Sequence, residues 1–289
     1  MKRTLLVINK SSGSVGEVDF EELTSAFQTA GFSLEHIVEL PRDELPHRAD
    51  VEKMAVDVVA TLSGDGTVAS VCSRLKGWGG ALLVLPGGTM NLLSRRLYGE
   101  QSIPGLLQSL GQAQQEPRHV SVIETAQGEV FTGLIAGPST RWGEVRESIR
   151  HLDLAEMVEK VPEAWAATTT SDSVRVEGLE GGYPAIFVEP LDNGNLCVRA
   201  FRADGLGDML SHGMAWLRRD FRNGPHDDLG EMRAVDIIDD GDAEIGLLLD
   251  GEQASGQSPF RCVAGRSSVK FITIAGAQEQ AGLASRLQG

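Results

Sequence analysis

The sequence predicts an α/β N-terminal domain with an open, largely parallel sheet, followed by a β-rich antiparallel, sandwich-like domain with inserted helices. Three observations predict it. Apolar strand-like runs alternate with helical patterns over roughly the first 115 residues, and past Pro117 the rhythm changes to shorter β-like segments. Two glycine turns, Ser63-Gly64-Asp65-Gly66-Thr67 and Pro86-Gly87-Gly88-Thr89-Met90-Asn91, each join an apolar strand to a helix. The first domain is placed at residues 1–117 and the second at 118–289, with the last residues able to pack back on the first.

Thr4-Leu5-Leu6-Val7-Ile8 reads as the first strand, and the Gly/Ser loop Asn9 to Gly16 follows it. Phe20, Leu23, Phe27 and Ala30 then recur at helical spacing, and Gly31 ends that helix. A strand near Leu34 to Leu40 and a proline-flanked acidic loop lead to the apolar run Val56 to Leu62. Helical patterns over Val68 to Leu75 and Thr89 to Leu97 flank the apolar strand Ala81 to Leu85. Strands apolar on every position suit a parallel sheet covered on both faces. The later β-like segments are Val120 to Ile123, Val130 to Ile135, Val174 to Glu177, Ala185 to Glu189, Leu196 to Phe201, Ala234 to Ile238, Glu244 to Leu249 and Val269 to Ile274. Helical stretches at Glu144 to Val161 and Leu206 to Phe221 interrupt them.

The chemistry gathers in the loops. Glycine lets backbone approach a ligand closely, and the unpaired amides at a helix start favour an anion. A single Gly-Asp-Gly or Pro-Gly-Gly reads equally as a plain turn. Two such turns ending adjacent apolar strands favour a nucleotide or phosphate site in the crevice at the carboxyl strand ends. Asp65 adds a carboxylate able to reach a phosphate-bound metal or a transferring proton.

The formal net charge of −15 is unevenly shared: residues 1–120 hold 11 Lys/Arg against 14 Asp/Glu, leaving 15 against 27 for the rest. Such a surface repels nucleic acid and anionic membrane at long range, so no nucleic-acid partner is expected. Cys72, Cys197 and Cys262 lie far apart in apolar settings, which predicts buried thiols rather than a disulfide framework or zinc site. Met1-Lys2-Arg3 leads straight into a strand with no signal-peptide pattern, and no apolar run reaches bilayer length, so a cytoplasmic protein is expected.

Five segments in order carry a resemblance. Asn9 to Gly13, Ser63 to Thr67, Pro86 to Asn91, the loop Leu191-Asp192-Asn193-Gly194-Asn195-Leu196 and Leu249-Asp250-Gly251-Glu252 together resemble the diacylglycerol kinase catalytic family, bacterial lipid kinases that also resemble sphingosine kinases. The resemblance implies ATP-dependent, Mg2+-assisted phosphorylation of a lipid hydroxyl, with nucleotide in the α/β domain and lipid entering between domains. It places Asn9, Ser12, Gly64, Gly66, Thr67, Gly88, Thr89 and Asn91 at the nucleotide, Asp65 at the phosphates or their metal, and Glu252 as general base. Asp192 and Asn193 are carried over as metal-loop positions, Asn193 standing where some members have Asp. Asp250-Gly251 also reads as a hairpin turn. Ser63 replaces a glycine of the family pattern, and Ser121 or Val122 stands where an acid is usual, with Glu124 nearby.

Two other functions stay open on the residues: an NAD kinase-like phosphotransferase, which shares the Gly-Asp-Gly-Thr turn, and a non-catalytic nucleotide-binding relative with a degraded metal site. The stretch Met214 to Arg222, with Trp216 beside Arg218 and Arg219, suits transient peripheral membrane contact, at the inner membrane face, or a helix packed on its own domain. A homo-oligomer is compatible with the sequence, and the acceptor lipid is left open.

Overall fold

The computed structural model describes residues 1–12, 19–138, 173–201, 226–241 and 243–274. The chain divides into two compact units, Met1–Val120 with Ser267–Gly289, and Ser121–Arg266.

In the first unit, strands β1 (Lys2–Asn9), β2 (Phe32–Leu40), β3 (Val58–Ser63), β4 (Ala81–Pro86) and β5 (Gln115–Arg118) are joined by a strand from the far end of the chain, β17 (Lys270–Ile274). The sheet order is β2-β1-β3-β4-β17-β5. Every neighbouring pair is parallel except β17 with β5. Leu5 to Ile8, Val58 to Leu62 and Ala81 to Leu85 are buried along their length, as strands covered on both faces require. The segment Val269 to Ile274, which in sequence follows the β-rich run, thus lies inside the α/β sheet.

Helices α1 (Phe20–Thr29), α2 (Arg48–Met54), α3 (Asp65–Arg74), α4 (Leu92–Tyr98) and α5 (Ile103–Gln112) connect these strands. Asp19 starts α1 by accepting from the Glu21 and Glu22 amides, at 2.9 and 3.1 Å. Leu23 and Phe27 form its buried face, and Gly31 ends it at φ 86°. The short α2 occupies the stretch read from sequence as a loop, where one buried residue, Val51, leaves little helical periodicity to detect.

The second unit holds β6 (Ser121–Thr125), β7 (Gly128–Val130), β8 (Leu134–Pro138), β9 (Val174–Val176), β10 (Ala185–Pro190), β11 (Leu196–Phe201), β12 (His226–Met232), β13 (Ala234–Asp239), β14 (Glu244–Leu249), β15 (Glu252–Gln257) and β16 (Phe260–Arg266). They form two antiparallel sheets, β12-β11-β10-β8-β14-β15 and β7-β6-β16-β13-β9. One core draws on both: Leu134, Val188, Val198 and Leu247 from the first, Ile123, Val176, Ile237 and Cys262 from the second. The run Val130 to Ile135, read as one strand, is two, divided at Phe131–Gly133. The helical stretches Glu144 to Val161 and Leu206 to Phe221, including the Trp216 segment, lie outside the described residues.

Candidate functional site

From β1 the chain moves to β2 on one side, then returns to β3 and continues to β4 on the other. This reversal leaves a crevice beyond the carboxyl ends of β1 and β3, the usual ligand position in an open α/β sheet. Asn9 ends β1, Ser63 ends β3 and Pro86 ends β4. The three loops that follow are tied to one another. The Asn9 side-chain amide donates to Thr67 Oγ1 at 2.9 Å, and the Gly64 N–H donates to Ser12 Oγ at 3.1 Å. The Ser11 amide donates back to Asn9 Oδ1 at 3.0 Å.

Glycine is required where the two later loops meet. A Cβ on Gly88 would lie 2.5 Å from Gly64 Cα, and one on Gly87 would lie 2.5 Å from the Ser63 nitrogen. No side chain fits between them, and the backbone itself lines this part of the crevice. Asn91 closes the second loop from the left-handed region, at φ 52°, its Oδ1 accepting from the Gly88 N–H at 2.6 Å. Thr89 is exposed at that loop's tip, and Gly66 is half-buried in the first turn of α3.

Asp65 has a role that its local sequence does not reveal. Its two carboxylate oxygens accept from the Leu92 and Leu93 amides at 3.0 and 3.1 Å, the first two amides of α4. A carboxylate at a helix start satisfies orphan donors and complements the helix dipole. The partners are 27 and 28 residues away, so only the adjacency of β3 and β4 reveals the bond. Asp65 thereby ties the first turn of α3 to the start of α4.

In the second unit, Asp250 and Gly251 form the two-residue turn between β14 and β15, with φ of 49° and 88°. Positive φ at both positions is the type I′ signature, so the hairpin reading of this segment holds. Glu252 opens β15, an edge strand, and is exposed. Asp250 turns back on Phe131–Gly133. Its oxygens accept from the Phe131 amide at 2.8 Å, the Thr132 amide and hydroxyl each at 2.6 Å, and the Gly133 amide at 3.3 Å. Burial pushes this carboxyl above its ordinary pKa, and the donated hydrogen bonds oppose the rise.

The loop from β10 to β11 is held to β12 through one carboxylate. Asn193 donates to Glu231 Oε2 at 2.7 Å, and Asn195 donates to the same oxygen at 3.1 Å. Asn193 Oδ1 accepts the Asn195 amide at 3.0 Å. Hydrogen bonds from Asn195 and Asn193 hold the Glu231 carboxyl below the usual carboxylate range. Asn193 is thus tied both to Asn195 within the loop and to Glu231 on β12, while Asp192 receives Ser121 Oγ at 3.4 Å. Among the described residues no group of three or more His, Cys, Asp or Glu side chains could hold a metal ion. Among them, too, no helix is long and apolar enough to cross a membrane. Cys72, Cys197 and Cys262 are buried and outside any disulfide, burial pushing the Cys262 thiol up to about 12.

Residues 3–124 match the family model for the diacylglycerol kinase catalytic domain. A "Putative lipid kinase" of Streptococcus pneumoniae is 29% identical over 114 residues, 38% of this chain and 39% of that protein. The chain thus aligns with about two fifths of the length of this curated relative. The whole-chain fold is similar to crystal structures from Bacillus anthracis. One, of a "putative diacylglycerol kinase", superposes with a TM-score of 0.62 at 17% identity, covering 95% of this chain and 96% of that one. Another, of a diacylglycerol kinase, does so with a TM-score of 0.60 at 16% identity, covering 95% and 97%. At these identities the likeness shows a common fold. The glycine loops and the Asp65 bond between them fall within residues 3–124, the stretch that is similar to the diacylglycerol kinase catalytic domain.

Proposed function

We propose that the protein is an ATP- and Mg2+-dependent lipid kinase that transfers the γ-phosphate to a lipid hydroxyl, with a diacylglycerol-like acceptor. The observation that carries this reading is the bonded set of loops at the carboxyl ends of β1, β3 and β4, where Gly88 packs on Gly64 without room for a side chain of its own. Phosphoryl transfer needs positioning and charge neutralisation more than covalent chemistry, and a rigid backbone cradle supplies the first. The main chain around Gly64, Gly66 and Gly88 would border the phosphates, with Asn9, Ser12, Thr67 and Asn91 holding the loops in register. Thr89 stands exposed beside them for direct contact. A bound Mg2+ would neutralise developing charge on the phosphates, and Asp65 is the residue that fits it. Glu252 is the proposed general base, accepting the acceptor hydroxyl's proton as the oxygen attacks phosphorus.

Labelled-ATP transfer to a total lipid extract tests this, with native protein run beside Asp65→Ala and Glu252→Ala. Native protein should label a lipid; Glu252→Ala should lose about 100-fold or more, the usual weight of a general base. Equal labelling by all three overturns the catalytic assignment. NAD offered as acceptor in the same assay distinguishes the NAD kinase-like reading. Tight ATP binding without transfer to any lipid would instead favour the non-catalytic one. Transient peripheral membrane contact through the Trp216 segment is part of the proposal; Trp216→Ala with Arg218→Ala should weaken vesicle sedimentation and spare ATP binding.

A further inference from the structure

The base assignment of Glu252 leaves open why residue 250 is an aspartate. A type I′ turn is served by Asn-Gly as readily as by Asp-Gly, so the turn alone does not require a carboxylate. The donors around it do. Three successive backbone N–H groups, of Phe131, Thr132 and Gly133, and the Thr132 hydroxyl all point at the same two oxygens. Successive amides converging in this way form a concavity for an anion. An asparagine would offer one acceptor oxygen and turn an NH2 group toward N–H donors.

We propose that Phe131-Thr132-Gly133 is an anion cradle whose resident anion is the Asp250 carboxylate, and that by filling it Asp250 acts as the positioning residue for Glu252. Among the described residues β15 is an edge strand that pairs only with β14, so the place where it begins is set by the turn before it. That turn is anchored twice, by the carboxylate in the cradle and by the Asp250 N–H donating to the Gly133 carbonyl at 3.0 Å. The cradle is itself fixed. It leads into β8, inside the six-stranded sheet, and a Cβ on Gly133 would lie 2.6 Å from the Phe187 ring. The chain of support therefore runs from the sandwich core through Gly133 and Asp250 to the first residue of β15. The positioning role rests on the reading of Glu252 as base.

The test compares full-length Glu252→Gln, Asp250→Asn and Asp250→Gly, measuring kcat, KM for ATP, and hydrogen exchange at the Phe131, Thr132 and Gly133 amides. Asp250→Asn keeps a favourable turn, so cooperative unfolding should persist while kcat falls tenfold or more and KM for ATP stays unchanged. Asp250→Gly leaves the cradle open, and added formate should restore part of its kcat and slow exchange at the three amides; chloride at equal ionic strength should do neither. Native kcat in Asp250→Asn, with Glu252→Gln inactive, overturns the positioning role alone. Formate without effect on exchange in Asp250→Gly overturns the cradle. Native kcat in Glu252→Gln overturns the base assignment, and the positioning role with it.

Discussion

Gly64 and Gly88 show how much of the candidate site depends on atoms that are missing. Gly88 lies against Gly64 because it has no side chain, and the space a Gly88 Cβ would need is occupied by the Gly64 main chain rather than by a movable side chain. Gly88→Ala must push the two loops apart. Overpacking of this kind costs about 1–3 kcal/mol, and here the strain falls on the proposed phosphate cradle. Nucleotide affinity measured by titration calorimetry should drop at least about tenfold, the equivalent of 1.4 kcal/mol, with a smaller relative loss in unfolding free energy. An unchanged affinity would remove these glycines from the ligand's surroundings. Asp65 teaches a related lesson. Its chemical type was legible as a candidate for metal or proton, but its bonds to Leu92 and Leu93 were not, because they cross from one strand–helix unit to the next.

At the scale of single elements, periodicity and capping chemistry agree where the helix is long enough to show both. α1 has its buried pair Leu23 and Phe27 one turn apart, an aspartate cap and a glycine stop. Asp19→Ala removes an acceptor from two amides, and should cost about 1 kcal/mol by urea denaturation, with unchanged slope. A loss within error of zero would mean that Glu21 and Glu22, acidic residues of the first turn, already satisfy the dipole. Three of the elements that escaped detection had weak signals for physical reasons. α2 spans seven residues with one buried, and β12 and β15 are polar edge strands without an alternating apolar face. The false continuity of Val130 to Ile135 has a different origin. All its residues but the half-buried Thr132 and Gly133 are apolar, yet an aspartate far along the chain binds the middle of the run and breaks it into two strands.

For the molecule as a whole, the six-stranded α/β sheet is completed from a distance. β17 sits between β4 and β5, with Phe271 and Ile272 fully buried, and the Tyr98 hydroxyl donates to the Ile272 carbonyl at 2.7 Å. Phe271→Ala should therefore destabilise the first unit by about 3–5 kcal/mol, as large-to-small changes in a core do. Hydrogen exchange should rise along β1, β3 and β4 while the core strands β8 and β10 of the second unit keep their protection. Increased exchange confined to β8 and β10 would show that the segment belongs energetically to the sandwich. The three bonded glycine loops depend on this sheet, so the same substitution should also weaken nucleotide binding.

The local record of this chain determined a great deal: a parallel α/β sheet, a β-rich partner, the glycine turns and the acid Asp65 as a group to consider, while Glu252 was singled out only by the family resemblance. Each is written in contiguous residues, where apolar runs, helical spacing and Asp-Gly or Gly-Gly pairs carry their conformational meaning within a few positions. Tertiary structure alone decided the rest, namely that Asp65 grips α4, that Asn193 and Asn195 both bind Glu231, that Asp250 occupies the Phe131–Gly133 amides and that β17 joins the first sheet. Those outcomes are pairings between segments far apart in the chain, set by strand order and packing, and no property of either partner's own neighbourhood specifies the other.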